Sequence, residues 1–191
     1  MKEVVSMRKK SEVKSVKAPS LTIVATATIV FALFIAVILP RVSAYTSANI
    51  GGLGSPDTDF LYSGRRLYAI ADSYGAGGRR LYVILRWTFD LLWPMAYTWF
   101  LVSWTRWLAA WYKKPWVKQL YWIPVAAMLF DYLENTLVTI VMLVFPKPLY
   151  ALGTMVSVAG FAKWSTLSVA FVVVLVLGMG AIMIRLLRGK E

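Results

Sequence analysis

Long uncharged runs separated by short basic or glycine-rich breaks dominate the chain. Leu21 to Leu39 contains no charged residue, and a stretch of this length matches the roughly 20 residues a helix needs to cross a bilayer. Pro40 and Arg41 read as its end. Three further apolar runs follow, about Trp87 to Trp111, Gln119 to Phe145, and Leu149 to Leu187. Between them lie Tyr112 to Lys118, with Lys113, Lys114, Pro115 and Lys118, and the tight turn Pro146-Lys147-Pro148. Soluble helices and strands would scatter apolar positions at their own period instead. The pattern predicts an all-α integral membrane protein: a basic arm over 1–20, then one domain over 21–191. Its four spans fall at about 21–39, 87–111, 119–145 and 149–187, with an external segment over 40–86. The fourth run is 39 residues long, about 58 Å as a helix against a hydrocarbon core of roughly 30 Å, so a break near Gly160 or a strong tilt is expected.

The first run also carries a secretory-signal alternative, because Val42-Ser43-Ala44 resembles a small-residue cleavage site. Its apolar length and the long basic arm favour an uncleaved anchor. In both cases the segment that follows faces outward.

That external segment opens with a loop, Asn49-Ile50-Gly51-Gly52-Leu53-Gly54-Ser55-Pro56, and then shows an echo. Gly64-Arg65-Arg66-Leu67-Tyr68-Ala69-Ile70 recurs as Gly78-Arg79-Arg80-Leu81-Tyr82-Val83-Ile84. Ser63 suits the N-cap of the first copy. Leu67, Ile70, Ala71 and Tyr74 then fall on one face, with Arg65 and Arg66 on others, which predicts a short amphipathic helix lying in the outer interface. The second copy meets no breaker before the next apolar run and is expected to form the external end of that span.

Composition sharpens this picture. The chain is 59% hydrophobic and only 16% charged, with a net charge of +12. Basic residues concentrate in the arm, the Lys113–Lys118 loop and the tail, which by the positive-inside bias places both termini in the cytoplasm of a cell membrane. The excess charge is therefore read as attraction to anionic lipid headgroups, not nucleic acid. Tryptophans gather at the expected interfaces, Trp104, Trp107, Trp111, Trp116 and Trp122 on one side, Trp87 and Trp93 on the other, as an aromatic belt. The chain has no cysteine and no histidine. This removes thiolate nucleophiles, disulfide exchange, His-ligated metal or haem, and imidazole acid–base chemistry. Asp57-Thr58-Asp59 lacks the spacing of a calcium loop, so neither metal nor cofactor is expected.

Candidate chemistry lies in charges placed where charge is expensive. Asp90, Arg106, Asp131, Glu134 and Lys163 fall inside the apolar runs, at roughly 2.5–3.5 kcal/mol each near a bilayer centre. Asp131 and Lys163 are each sixteen residues from Lys147, so a hairpin of the last two runs brings them to similar depth. Glu134 follows Asp131 by one turn, and Asn135 supplies a bridging amide. Lys163 is thus expected to pair with Asp131, Glu134 or both. Asp90, four residues before Pro94, is expected near Arg79, Arg80 or Arg86; Arg65, Arg66, Arg79 and Arg80 form the interfacial polar set. Two carboxylates against one ammonium leave a surplus negative charge, which a shared proton or another cation would neutralise. A buried polar clasp is the plainer use. Gly153 and Ser157 allow close helix packing. Functionally the sequence supports a non-enzymatic subunit or scaffold that binds lipid and partner helices or a second copy. The alternatives are a small oligomeric proton- or cation-linked permease and a lipid-modifying enzyme.

Overall fold

The computed structural model of the protein describes residues 18–188; the basic arm up to Lys17 and the tail residue Lys190 lie outside the described residues. The described chain contains seven α-helices: α1 Leu21–Leu33, α2 Leu39–Asn49, α3 Gly64–Ser73, α4 Gly75–Arg86, α5 Phe89–Ala109, α6 Trp122–Val144 and α7 Tyr150–Arg188. A π-turn, Phe34–Ile38, joins α1 to α2, and 3-10 turns occupy Pro56–Thr58 and Pro115–Gln119. No strand occurs among the described residues. Three helical stretches are long and apolar enough to cross a membrane: Leu21–Asn49, Pro115–Val144 and Tyr150–Arg188. Helix α5, 21 residues long, packs among α1, α6 and α7.

Pro40 does not end the first helix. The Leu39 N–H reaches back five residues to the Phe34 carbonyl, and the widened turn absorbs the disturbance that a proline ring and its missing donor create one turn earlier. The helix therefore runs on to Asn49, and α2 lines a cavity that α5 also lines. The opposite correction applies between α4 and α5, where sequence predicts continuity. Trp87 and Thr88 leave helical geometry, with Thr88 at φ −121°, ψ −78°. The Thr88 hydroxyl donates to the Ile84 carbonyl at 2.8 Å, supplying a donor where the helical ladder stops. The break turns Arg86 inward while Trp87 stays exposed.

Helix α3 begins at the expected cap, with Ser63 Oγ accepting from the Arg66 N–H. Its apolar face, however, is spent on protein rather than left for lipid. Leu67, Ile70 and Ala71 are fully buried in a cluster with Ile50, Val138, Val141 and Val156. The Tyr68 hydroxyl donates to the Lys147 carbonyl at 2.7 Å and accepts from the Leu149 N–H at 2.8 Å. Helix α3 thereby caps the α6–α7 turn. Gly64 and Gly153 make the approach possible: a Cβ on Gly64 would overlap the Tyr150 backbone, and one on Gly153 would lie 2.8 Å from Gly64 Cα. The Gly64 N–H donates to Thr154 Oγ1 and the Tyr62 N–H to Ser157 Oγ. The small residues of α7 thus receive a segment of the same chain. Helix α7 is continuous over 39 residues without a break at Gly160; its first turns find their partner in α3.

Candidate functional site

Five segments converge below α3. The turn at Pro56 supplies Asp57, the end of α4 supplies Tyr82 and Arg86, and the first turn of α5 supplies Asp90. Asp131, Glu134 and Asn135 come from α6, and Lys163 from α7. Arg86, Asp131, Glu134, Asn135 and Lys163 are each no more than 5% exposed. Burying so many ionic groups is tolerable only when each finds partners, and the contacts are dense.

Lys163 Nζ lies 2.6 Å from Glu134 Oε2, 4.0 Å from Asp131 Oδ1 and 3.7 Å from Asp57 Oδ1. Gly160, one turn before Lys163, leaves the room that the Glu134 carboxylate occupies; a Cβ there would meet Glu134 Oε1 at 3.0 Å. Arg86 forms the second cationic centre. Its guanidinium pairs with Asp57 Oδ2 and, at 3.0 Å, with Asp90 Oδ2. It also donates to Asn135 Oδ1 and to the Tyr82 hydroxyl, whose ring lies beneath it at 4.5 Å. Asn135 Nδ2 donates in turn to the Asp90 carbonyl and, at 3.4 Å, to Asp131 Oδ1. The Tyr97 hydroxyl donates to Asp131 Oδ2 at 3.2 Å. Asp57 links the two centres, one oxygen on Arg86 and the other facing Lys163.

Electrostatics at Asp57 follow from that position. Burial alone pushes its carboxyl up, but Arg86, Lys163 and the hydrogen bonds from Arg86 and Ser55 outweigh burial and hold it well below the usual carboxylate range. Nearby, burial raises the Tyr74 hydroxyl to about 12, with the Asp57 charge adding to the rise. The Tyr74 hydroxyl donates to the Gly54 carbonyl at 2.7 Å, which helps fix the loop that carries Asp57.

The cluster is not sealed. Asp57, Arg86, Asp90, Asp131 and Lys163 form one side of a cavity of about 430 Å³. Its other walls are mostly apolar or aromatic: Leu39 and Val42 of α2, Phe89 and Trp93 of α5, Trp164 and Leu167 of α7. Ser43, Thr46 and Ser47 complete the α2 wall. Glu134 sits behind Lys163 and does not line it.

Sequence reasoning anticipates the α6–α7 part of this site and underestimates the rest. Of the possible partners of Asp90, Arg86 makes the contact. Arg66 binds Asp59 at 3.3 Å, Arg79 stacks on Phe145 at 4.1 Å and donates to the Ala71 carbonyl, Arg65 lies over the Tyr150 ring, and Arg80 is exposed. None of those four joins the cluster. Arg86 was legible as the centre of Tyr82, Arg86 and Asp90, which recur every fourth residue and so share a helical face. Asp57 carried no comparable signal, since only tertiary folding brings it to Lys163. Among the described residues no group of three or more acidic, His or Cys side chains is arranged to hold a metal ion. No family model, curated protein or solved structure matches the chain.

Proposed function

We propose that the chain is a four-span membrane protein, with α1–α2, α5, α6 and α7 as the spans and both termini cytoplasmic, that binds a small molecule in the cavity beside the charged cluster. The observation that carries this reading is the cavity itself. A clasp that only fastens helices is best made dry and closed, because water weakens each ion pair. Here five of the charged side chains line a cavity with apolar walls, the usual composition of a ligand site, and Asp57 and Asp90 are the ones exposed in it. Helix length sets its depth. Arg185 lies 22 residues beyond Lys163 on α7, about 33 Å along the axis and close to the roughly 30 Å of hydrocarbon. With Arg185 at the inner surface, Lys163 and its partners reach the outer boundary, where a molecule enters from the outer leaflet or from outside water. Binding there is the first step of either permeation or lipid modification, whereas a scaffold for lipid and partner helices requires only the clasp.

The lack of cysteine makes the test clean. Single Cys substitutions at Ser43 and Ser47, which line the cavity, and at Ala44 and Ala48 on the other side of α2 are treated with an impermeant thiol reagent in oriented vesicles. Labelling of Ser43→Cys and Ser47→Cys, with Ala44→Cys and Ala48→Cys protected by lipid, is the expected result. Four silent positions, or labelling without helical periodicity, refute the open cavity and leave the scaffold.

A further inference from the structure

We propose that the ligand of this cavity is an amine-bearing amphiphile, its ammonium held by the carboxylates of Asp57, Asp90 and Asp131 and its apolar chain lying against Val42, Trp93 and Trp164. The inference rests on the ligand-binding reading above and adds the chemical class. The charge count chooses the sign. Four carboxylates, Asp57, Asp90, Asp131 and Glu134, share two cations, Arg86 and Lys163. Both cations are already engaged. Arg86 donates to two carboxylates, an amide and a phenol, and Lys163 faces three carboxylates. A phosphate or carboxylate ligand would have to displace those partners and add charge of the sign already in excess. An ammonium group instead adds charge of the sign in deficit, and the one negative charge still in surplus is met by a proton shared between carboxylates.

Acceptor capacity points the same way. An ammonium offers three N–H donors, and three of the four carboxylates reach the cavity wall. Asp57, whose Oδ1 faces Lys163 Nζ at 3.7 Å, is the most open of these acids, its side chain 29% exposed. Trp93 and Trp164 line the same space; Phe31 stacks on the Trp93 ring and Lys163 lies over that of Trp164, so both are apolar wall for the hydrocarbon portion. The remaining wall is apolar, so the ligand carries a hydrocarbon portion and partitions in from the bilayer.

The test uses the full chain carrying Ser43→Cys in vesicles. The rate of labelling by a neutral maleimide is measured with decylamine, decanol or decanoate added at equal membrane concentration, and Ala44→Cys reports any effect of the bilayer alone. Decylamine is expected to slow labelling of Ser43→Cys about tenfold, with decanol and decanoate changing it less than twofold; Asp90→Asn in the same background is expected to weaken decylamine protection. A second measurement needs no ligand. A cationic methanethiosulfonate is expected to react at Ser43→Cys at least about tenfold faster than an anionic one, relative to their rates on a free thiol, since a charged cleft concentrates counter-ions by that order. Equal protection by decanol, stronger protection by decanoate, no protection by any of the three, or a reagent ratio near one each overturn the amine assignment while the open cavity stands. A Ser43→Cys thiol that never reacts overturns the cavity reading beneath it.

Discussion

Arg86→Gln is expected to be among the most damaging single changes in the chain, and its cost can be worked from the contacts. The guanidinium is 5% exposed and satisfies Asp57, Asp90, Asn135 and Tyr82 together. Glutamine is too short to reach that set and carries no charge. Asp57 loses its closest cation, and Asp90 keeps the helix N-terminus and the more distant Lys163 as favourable fields. Removing one partner from a buried ion pair costs about 3–5 kcal/mol. At roughly 2–4 °C per kcal/mol for a domain of this size, that is a fall of about 6–20 °C in Tm. Arg86→Lys keeps the charge but loses the fork that serves two carboxylates at once, so it should lie between. Because Asp57 and Asp90 are the stranded partners, adding Asp90→Asn to Arg86→Gln should recover part of the loss, a non-additivity of about 1–3 kcal/mol. Tryptophan fluorescence during heating in nanodiscs reads all four proteins. A Tm for Arg86→Gln within about 2 °C of the parent, or strict additivity with Asp90→Asn, would mean that Arg86 is solvated and not the hub described here.

Other consequences follow from individual contacts. Gly64→Ala places a methyl on the Tyr150 backbone and should cost about 2–3 kcal/mol as α3 is pushed from α7; Gly77→Ala, with nothing within 4 Å, should instead stabilise by about 0.5–1 kcal/mol as a helical glycine replaced, and thermal unfolding distinguishes the pair. Gly160→Ala should push the Glu134 carboxylate a few tenths of an ångström from its place beside Lys163 and lower Tm by more than Gly77→Ala raises it, an order that equal and opposite shifts would contradict. Asp57→Asn tests the depressed carboxyl by pH. A group whose folded pKa lies below its unfolded value stabilises fully above that unfolded value, about 3.9. The stability gap between parent and variant should therefore be constant from pH 5 to 8 and shrink as pH falls below about 4; a gap that widens on acidification contradicts the assigned contacts.

How much of this was legible in the sequence divides by range. Apolar length alone marks α6, α7 and the first helix, because the bilayer needs about 20 residues and nothing else imposes that run. Symmetry of Asp131 and Lys163 about Lys147 places two of the cluster's members, since a helical hairpin converts sequence distance into depth. The failures share a cause, which is that partners far apart in sequence redirect local signals. Pro40 ordinarily marks a helix end, yet a π-turn five residues wide carries the helix past it. The amphipathic face of α3 reads as lipid-facing, but Val138, Val141 and Val156 occupy it. Trp87 and Thr88 break a run that contains no breaker residue, where turning Arg86 inward brings it to Asp57 and Asn135. Asp57 itself lies in an ordinary loop composition and acquires its role only when α3 docks.

The double variant Asp131→Asn with Glu134→Gln measures whether surplus negative charge faces the cavity. In that protein two carboxylates, Asp57 and Asp90, face two cations, so the cluster is neutral while its hydrogen-bonding shapes remain. Carried in the Ser43→Cys background, it is read by the ratio of cationic to anionic methanethiosulfonate rates, with Tm measured on the same sample. A ratio that falls from about ten or more to near one is expected, together with a lowered Tm, since Lys163 keeps only Asp57 as a carboxylate partner. An unchanged ratio contradicts the surplus charge and leaves the cluster as a clasp alone.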